Sequence, residues 1–171
     1  MTRTRAPGFT IIELMIVLII VAVLAAVAAP SMRDVVVRMR VKTAAGDLHT
    51  SLLFARSEAV KRNANITLSP IGGGSNWAVG WEVRSGATVL SRQDPYPSVT
   101  FTTFDAAYTP ATLSAITYAG NGRETGSAGA GIAFVLTAAE YPSIAARCVL
   151  IAPSGRPTVR TDGNGDPTDG C

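Results

Sequence analysis

Residues 8–30 read "GFTIIELMIVLIIVAVLAAVAAP", and the reading of this stretch governs the reading of everything after it. From Leu14 to Ala29 it is an uninterrupted apolar run of sixteen residues, and with Phe9 to Glu13 it covers twenty-one positions. At a helical rise of about 1.5 Å per residue such a segment is roughly 31 Å long, the thickness of one bilayer core. A single glutamate, Glu13, stands near its start. A carboxylate in that position is costly, so it marks a functional position whose partner has to be found. Ahead of the run lies a short leader with Arg3 and Arg5 that ends at Gly8. Basic side chains there favour a cytoplasmic leader, with the remainder of the chain exported.

Three readings of residues 1–30 compete. A secretory signal peptide has a shorter apolar region followed by a small-residue cleavage site, which Ala25–Ala29 mimic only loosely. An ordinary transmembrane anchor accounts for the length and the basic flank but leaves Glu13 unexplained. The third reading rests on residue order: a short positive leader, Gly8, Phe9-Thr10-Ile11-Ile12-Glu13, then a long aliphatic run. This order resembles the type IV prepilin signal. The resemblance implies that a prepilin peptidase cuts the Gly8–Phe9 bond on the cytoplasmic side and that Phe9 is then N-methylated. It makes Glu13 the fifth residue of the mature chain and an assembly carboxylate, paired with the free amine of Phe9 on the same or a neighbouring subunit. A glycine before the cut lets an enzyme approach the backbone closely. Small residues at Ala22, Ala25, Ala26, Ala28 and Ala29 suit close helix–helix packing in a bundle.

Pro30 removes a backbone donor, and a kink is expected there. The helix is expected to resume. Val37, Val41, Ala45, Leu48, Leu52, Ala55 and Ala59 recur at spacings of three and four, one stripe of an amphipathic helix that ends near Arg62. The full helix would be roughly 80 Å long. Asp34–Arg38 and Glu58–Arg62 stand four apart as exposed pairs. The stretch "LLFARSEAVKRN", Leu52 to Asn63, resembles the stem of GspH/FimT-like minor pilins and pseudopilins, where its FARSEA core is characteristic. Arg56 and Glu58 within it read as a solvated helix face rather than a binding pair.

Beyond residue 64 the pattern changes to period two with turn signals. Strands are expected at "ANITLSP", within "WAVGWEVRSGATVLSRQ" as two strands joined near Ser85-Gly86, and at "SVTFTTF", "TLSAITYA", "GIAFVLTAA", "ARCVLIAP" and "SGRPTVRT". "IGGGSN", residues 71–76, is a loop. Trp77 and Trp81 with Gly80 also resemble the GspH/FimT head, and covering the stem stripe is their expected task. The expected fold class is therefore α+β: a leader over residues 1–8, a membrane and filament-core helix over 9–29, an amphipathic stem over 30–63 and an antiparallel β head over 64–171, with the strand order open.

Chemistry beyond assembly has little support. The net charge of +3 is uneven: residues 31–63 hold seven basic and three acidic side chains, residues 64–171 six basic and eight acidic. A broadly basic nucleic-acid-binding head is thereby excluded. His49 is the sole histidine and lies within the stem helix, away from any nucleophile pocket, so no enzyme is expected. Asp162, Asn164 and Asp166 alternate as in the first half of a calcium loop, but Pro167 takes the glycine position and the chain ends before a closing acid, so neither metal nor cofactor is expected. Cys148 and Cys171 read as one disulfide in an exported domain. Arg156 and Arg160 stand four apart, on one face of a strand, with Arg147 on the strand before. FimT-like pilins of DNA-uptake machines contact DNA through a glycine–arginine motif in this region, although with arginines two apart. Two or three arginines would give weak, salt-sensitive phosphate binding, opposed by Asp162, Asp166 and Asp169.

The resemblance as a whole implies a non-enzymatic minor pilin, anchored in the bacterial inner membrane with its head in the periplasm. Its partners would be the peptidase, other minor and major pilins or pseudopilins, and an inner-membrane assembly platform. Pseudopilin H of a type II secretion system and a DNA-binding minor pilin are the alternatives.

Overall fold

The structure, a computed structural model, describes residues 8–105, 107–126, 131–138 and 140–163, with the side chains of 27–31 outside the described set. The chain separates into two compact units, Met1–Val36 and Val37–Cys171. One helix, α1 (Ile11–Arg62), begins in the first and ends in the second. Its backbone is helical on both sides of Pro30, as the expectation that the helix resumes requires. Within the first unit every described side chain of α1 is exposed. Among the described residues no helix is long and apolar enough to cross a membrane. The described apolar side chains of α1 run from Ile11 to Ala26, and the positions that extend the run are those outside the set.

In the second unit the stem stripe is buried as the period-3.6 pattern requires. Val41, Ala44, Ala45, Leu48, Leu52, Ala55 and Ala59 all lie in the core. They pack on a head of two four-stranded antiparallel sheets. The strands are β1 (Ile66–Pro70), β2 (Trp81–Ser85), β3 (Thr88–Gln93), β4 (Thr100–Asp105), β5 (Ile116–Tyr118), β6 (Ile132–Thr137), β7 (Arg147–Ile151) and β8 (Pro157–Thr161). The first sheet has the order β3-β2-β1-β5 and the second β4-β6-β7-β8. The inner faces alternate as strand geometry dictates: Ile66 and Leu68 of β1, Phe134 and Leu136 of β6, and Val149 and Ile151 of β7 meet the stem stripe in one core. The outer face of the second sheet carries a smaller cluster of Phe104, Ala133, Val135, Ala146 and Cys148.

Two strand expectations change. Trp77–Val79 is a single 3-10 turn rather than strand, capped by Asn76, whose side chain accepts from the Ala78 amide at 3.1 Å. The expected strand at "TLSAITYA" shortens to the three residues of β5. Both tryptophans are buried, as their expected packing task requires. The Trp77 indole donates to the Leu113 carbonyl at 2.9 Å and meets Phe134 edge-on at 5.0 Å. The Trp81 indole donates to Ser51 Oγ of the stem at 2.9 Å and stacks on Tyr96. Tyr96 in turn donates to Asp47 of α1, tying the β3–β4 connection to the stem. Gly80 explains its own presence: it has φ of 88°, and a Cβ there would collide with the Gln93 carbonyl oxygen.

Candidate functional site

The processing and assembly motif sits at the start of α1. Gly8, Phe9 and Thr10 precede the helix in non-helical conformation, and Phe9 is 83% exposed. Gly8 is exposed as well, and among the described residues a Cβ built on it meets nothing within 4 Å. Arg3 and Arg5 lie outside the described residues.

The helix starts at Ile11, which makes Thr10 its N-cap and Glu13 its third residue. Thr10 Oγ1 accepts from the Glu13 amide at 3.2 Å. This is the first half of a capping box, Thr-x-x-Glu, in which a hydroxyl satisfies a backbone donor that has no partner within the helix. A carboxylate in the first turn also faces the positive end of the helix dipole. Glu13 therefore has a local stabilising role in addition to any intermolecular one. The Thr10–Glu13 spacing carries that signal in the sequence, where only the charge of Glu13 was read.

The FARSEA segment departs from expectation. Arg56 is half-buried rather than part of a solvated face. Its Nε donates to the Gly122 carbonyl at 2.9 Å and its Nη2 to the Ser154 carbonyl at 3.3 Å. Gly122 lies in the turn after β5 and Ser154 in the turn between β7 and β8, so one guanidinium links the stem to both sheets. The two turns also touch each other: a Cβ on Gly155, at φ 79°, would collide with the Gly122 carbonyl oxygen. Glu58 is buried and paired, with Arg62 Nε at 2.6 Å and Lys61 Nζ at 3.2 Å. Hydrogen bonds from Arg62, then Lys61, hold its carboxyl below the usual carboxylate range. Of the two pairs expected on the stem, Glu58–Arg62 forms, whereas among the described residues Asp34 and Arg38 form no ion pair.

The three candidate arginines of the C-terminal region do not form one patch. In the β7–β8 register Arg147 pairs with Thr161 and Cys148 with Arg160. Directly paired residues share a face and neighbours along a strand alternate, so Arg147 and Arg160 lie on opposite faces of the sheet. Arg147 Nη1 donates to Thr161 Oγ1 at 2.5 Å. Arg160 is exposed and lines a cleft of about 330 Å³ with Asp105, Tyr108 and Thr158. Arg156 is exposed in the turn just before β8. Cys148 is fully buried on β7 and is not a free thiol, whereas Cys171 lies outside the described residues. Of the calcium-loop trio only Asp162 is described, and it is buried; Asn164 and Asp166 are outside. Among the described residues no three His, Cys, Asp or Glu side chains gather in a way that would hold a metal ion.

A helix opened by an exposed glycine–phenylalanine junction and backed by an antiparallel β head is the architecture of the type IV pilin superfamily. The profile of the family described as "Type II transport protein GspH" matches residues 44–155, and that of the "Prokaryotic N-terminal methylation motif" matches residues 3–29. The chain belongs to the GspH family. Among solved structures it is similar to the type IV minor pilin FimU of Pseudomonas aeruginosa, at 20% identity and a TM-score of 0.58, over 75% of this chain and 92% of that one. A second crystal form of FimU gives 18% identity and a TM-score of 0.56, over 73% and 94%. The minor pseudopilin EpsH from the type 2 secretion system of Vibrio cholerae follows at 10% identity and a TM-score of 0.50, over 74% and 99%. No curated protein sequence matches the chain. At these identities the structural likeness establishes the fold, and the family profile establishes the family.

Proposed function

We propose that the chain is a minor pilin, a non-enzymatic structural subunit that primes or caps a type IV pilus. One observation carries the reading: an exposed Gly8–Phe9 junction directly precedes a capped helix whose third residue is Glu13. Prepilin peptidase cuts that bond and Phe9 is methylated. Residues 9–29 then anchor the subunit in the inner membrane with its head in the periplasm, until it enters the filament with other pilins through the assembly platform. Glu13 is compensated there by the amine of a processed Phe9, and a Cys148–Cys171 disulfide ties down the C-terminus. Mass spectrometry of the mature chain tests the reading. N-methyl-Phe9 as the first residue is expected, and an intact Met1 terminus or a cut near Ala29 contradicts it.

A pseudopilin of a type II secretion system shares the family and the fold. Deleting the gene separates the two: loss of surface pili supports the first reading, loss of protein export with pili intact the second. A DNA-contacting tail is favoured by one observation, the exposure of Arg160 on the edge strand β8 and of Arg156 in the turn before it. Two cations give weak binding that falls steeply with salt. Absence of binding at low salt, or binding unchanged by Arg156→Ala with Arg160→Ala, rejects it.

A further inference from the structure

We propose that Arg123 and Arg156 form a two-guanidinium site that binds a phosphate monoester group. The two residues close turns of the same construction: Ala119-Gly120-Asn121-Gly122-Arg123 after β5, and Ala152-Pro153-Ser154-Gly155-Arg156 between β7 and β8. In each turn the last glycine amide donates to the alanine carbonyl, at 2.8 Å for Gly122 and 2.7 Å for Gly155. The alanine amide donates to the arginine carbonyl, at 2.9 Å for Ala119 and 3.0 Å for Ala152. Gly122 has φ of 74° and Gly155 φ of 79°. This is the three-residue hairpin loop closed by a left-handed glycine, and it sets an arginine at the first position of the returning chain.

The twin turns lie against each other. A Cβ built on Gly155 stands 3.1 Å from the Arg123 Cα. One Cα–Cβ bond and one residue step further, the Arg123 and Arg156 Cα atoms are at most about 8.5 Å apart, well within the reach of two arginine side chains. Arg56 fixes both turns from the stem through the Gly122 and Ser154 carbonyls and adds a third positive charge close by. Arg123 and Arg156 are both exposed, and among the described residues neither guanidinium enters an ion pair or a side-chain hydrogen bond. Glu124, the acid next in sequence, is buried, and its Oε1 accepts from the Gly126 amide at 2.5 Å. Two neighbouring cations without a counter-charge repel each other, and an anion between them removes that cost. A carboxylate or a phosphodiester offers one charge and two free oxygens, which a single bidentate guanidinium satisfies. A phosphate monoester carries close to two charges at neutral pH and three acceptor oxygens, enough for both arginines. The site shares Arg156 with the tail reading above, but Arg123 takes the place of Arg160 as its partner.

The test titrates the full chain in a non-ionic detergent with phenyl phosphate, a monoester, and with dimethyl phosphate, a diester, at constant low ionic strength. Binding is read from the broadening of the probe's phosphorus NMR line. Phenyl phosphate should bind at least about tenfold more tightly than dimethyl phosphate, and less tightly as salt rises. Arg123→Gln and Arg156→Gln should each weaken phenyl phosphate binding at least about tenfold, with the unfolding midpoint unchanged because both side chains are exposed and unpaired. Arg160→Gln should leave the binding as it is. A native chain that does not bind phenyl phosphate overturns the proposal, and so does binding that survives in the folded R123Q/R156Q variant. Dimethyl phosphate bound as tightly as phenyl phosphate would assign the arginines to a phosphodiester backbone. Acetate that displaces phenyl phosphate at equal concentration would assign them to a carboxylate, and a loss on Arg160→Gln equal to that on Arg123→Gln would assign the binding to the β8 face. Each of these three results contradicts a monoester site on the twin turns.

Discussion

Arg56 joins the stem to both sheets of the head with one planar group, because its two donors reach carbonyls in turns that belong to different sheets. Charged hydrogen bonds of this kind contribute about 1.5–3 kcal/mol each when their acceptors have no ready substitute. Arg56→Ala should therefore lower the unfolding free energy by about 2–4 kcal/mol in urea titrations followed by the buried tryptophans. Arg56→Lys should recover only part of the loss, since a point charge cannot serve both turns. The motif around Arg56 was legible in the sequence, but its partners were not. Gly122 and Ser154 offer backbone oxygens, which leave no trace in residue type, and they lie 66 and 98 residues away. Glu58 gives a second residue-scale prediction. Its carboxyl is held below 4.5 by Arg62 and Lys61, so the pair stabilises the folded state above that pH and the contribution is lost as pH falls through the lowered value. Unfolding midpoints of the native chain and Glu58→Gln should differ at pH 6 and converge towards pH 3.

Gly46 poses the question of the element scale. It lies mid-helix in α1, on the face away from the core, and a Cβ there meets nothing within 4 Å. Glycine in a helix interior is unfavourable relative to alanine by about 1 kcal/mol. Gly46→Ala should thus raise the stability of the isolated subunit by about 1 kcal/mol, measured in the same titrations. Gly80→Ala should destabilise, because the φ of 88° and the Gln93 carbonyl leave no room for a methyl group. The contrast marks what sequence pattern resolves. The stem stripe was readable because burial on one side of a helix forces spacings of three and four. Most strands were readable because burial on one face forces alternation. The order of the strands was not readable, since β1 pairs with β5 and β4 with β6 across long connections that hydropathy does not encode. The same limit applies to the arginines: spacing within one strand was visible, whereas the β7–β8 register that sends Arg147 and Arg160 to opposite faces was not.

For the molecule as a whole, the family and the fold class followed from some twenty residues at the N-terminus and the FARSEA segment, both of which are local and fixed in order. The proposed disulfide acts at this scale. A bridge from Cys148 to Cys171 closes a loop of a size for which loss typically removes about 3 kcal/mol. Cys148→Ala should lower the unfolding midpoint of the oxidised chain, and reduction of the native chain should bring the two midpoints close together. The central claim is that the Glu13 carboxylate is tolerated because a processed Phe9 amine meets it on assembly. Glu13→Gln isolates the charge, because the Thr10 hydroxyl bond to the residue-13 amide survives the change. The decisive measurement is the amount of Glu13→Gln subunit in sheared filaments relative to the membrane pool, by quantitative immunoblot. The account predicts that the Glu13→Gln chain is cleaved at Gly8–Phe9 yet at least tenfold depleted from filaments; incorporation equal to the native chain would contradict it.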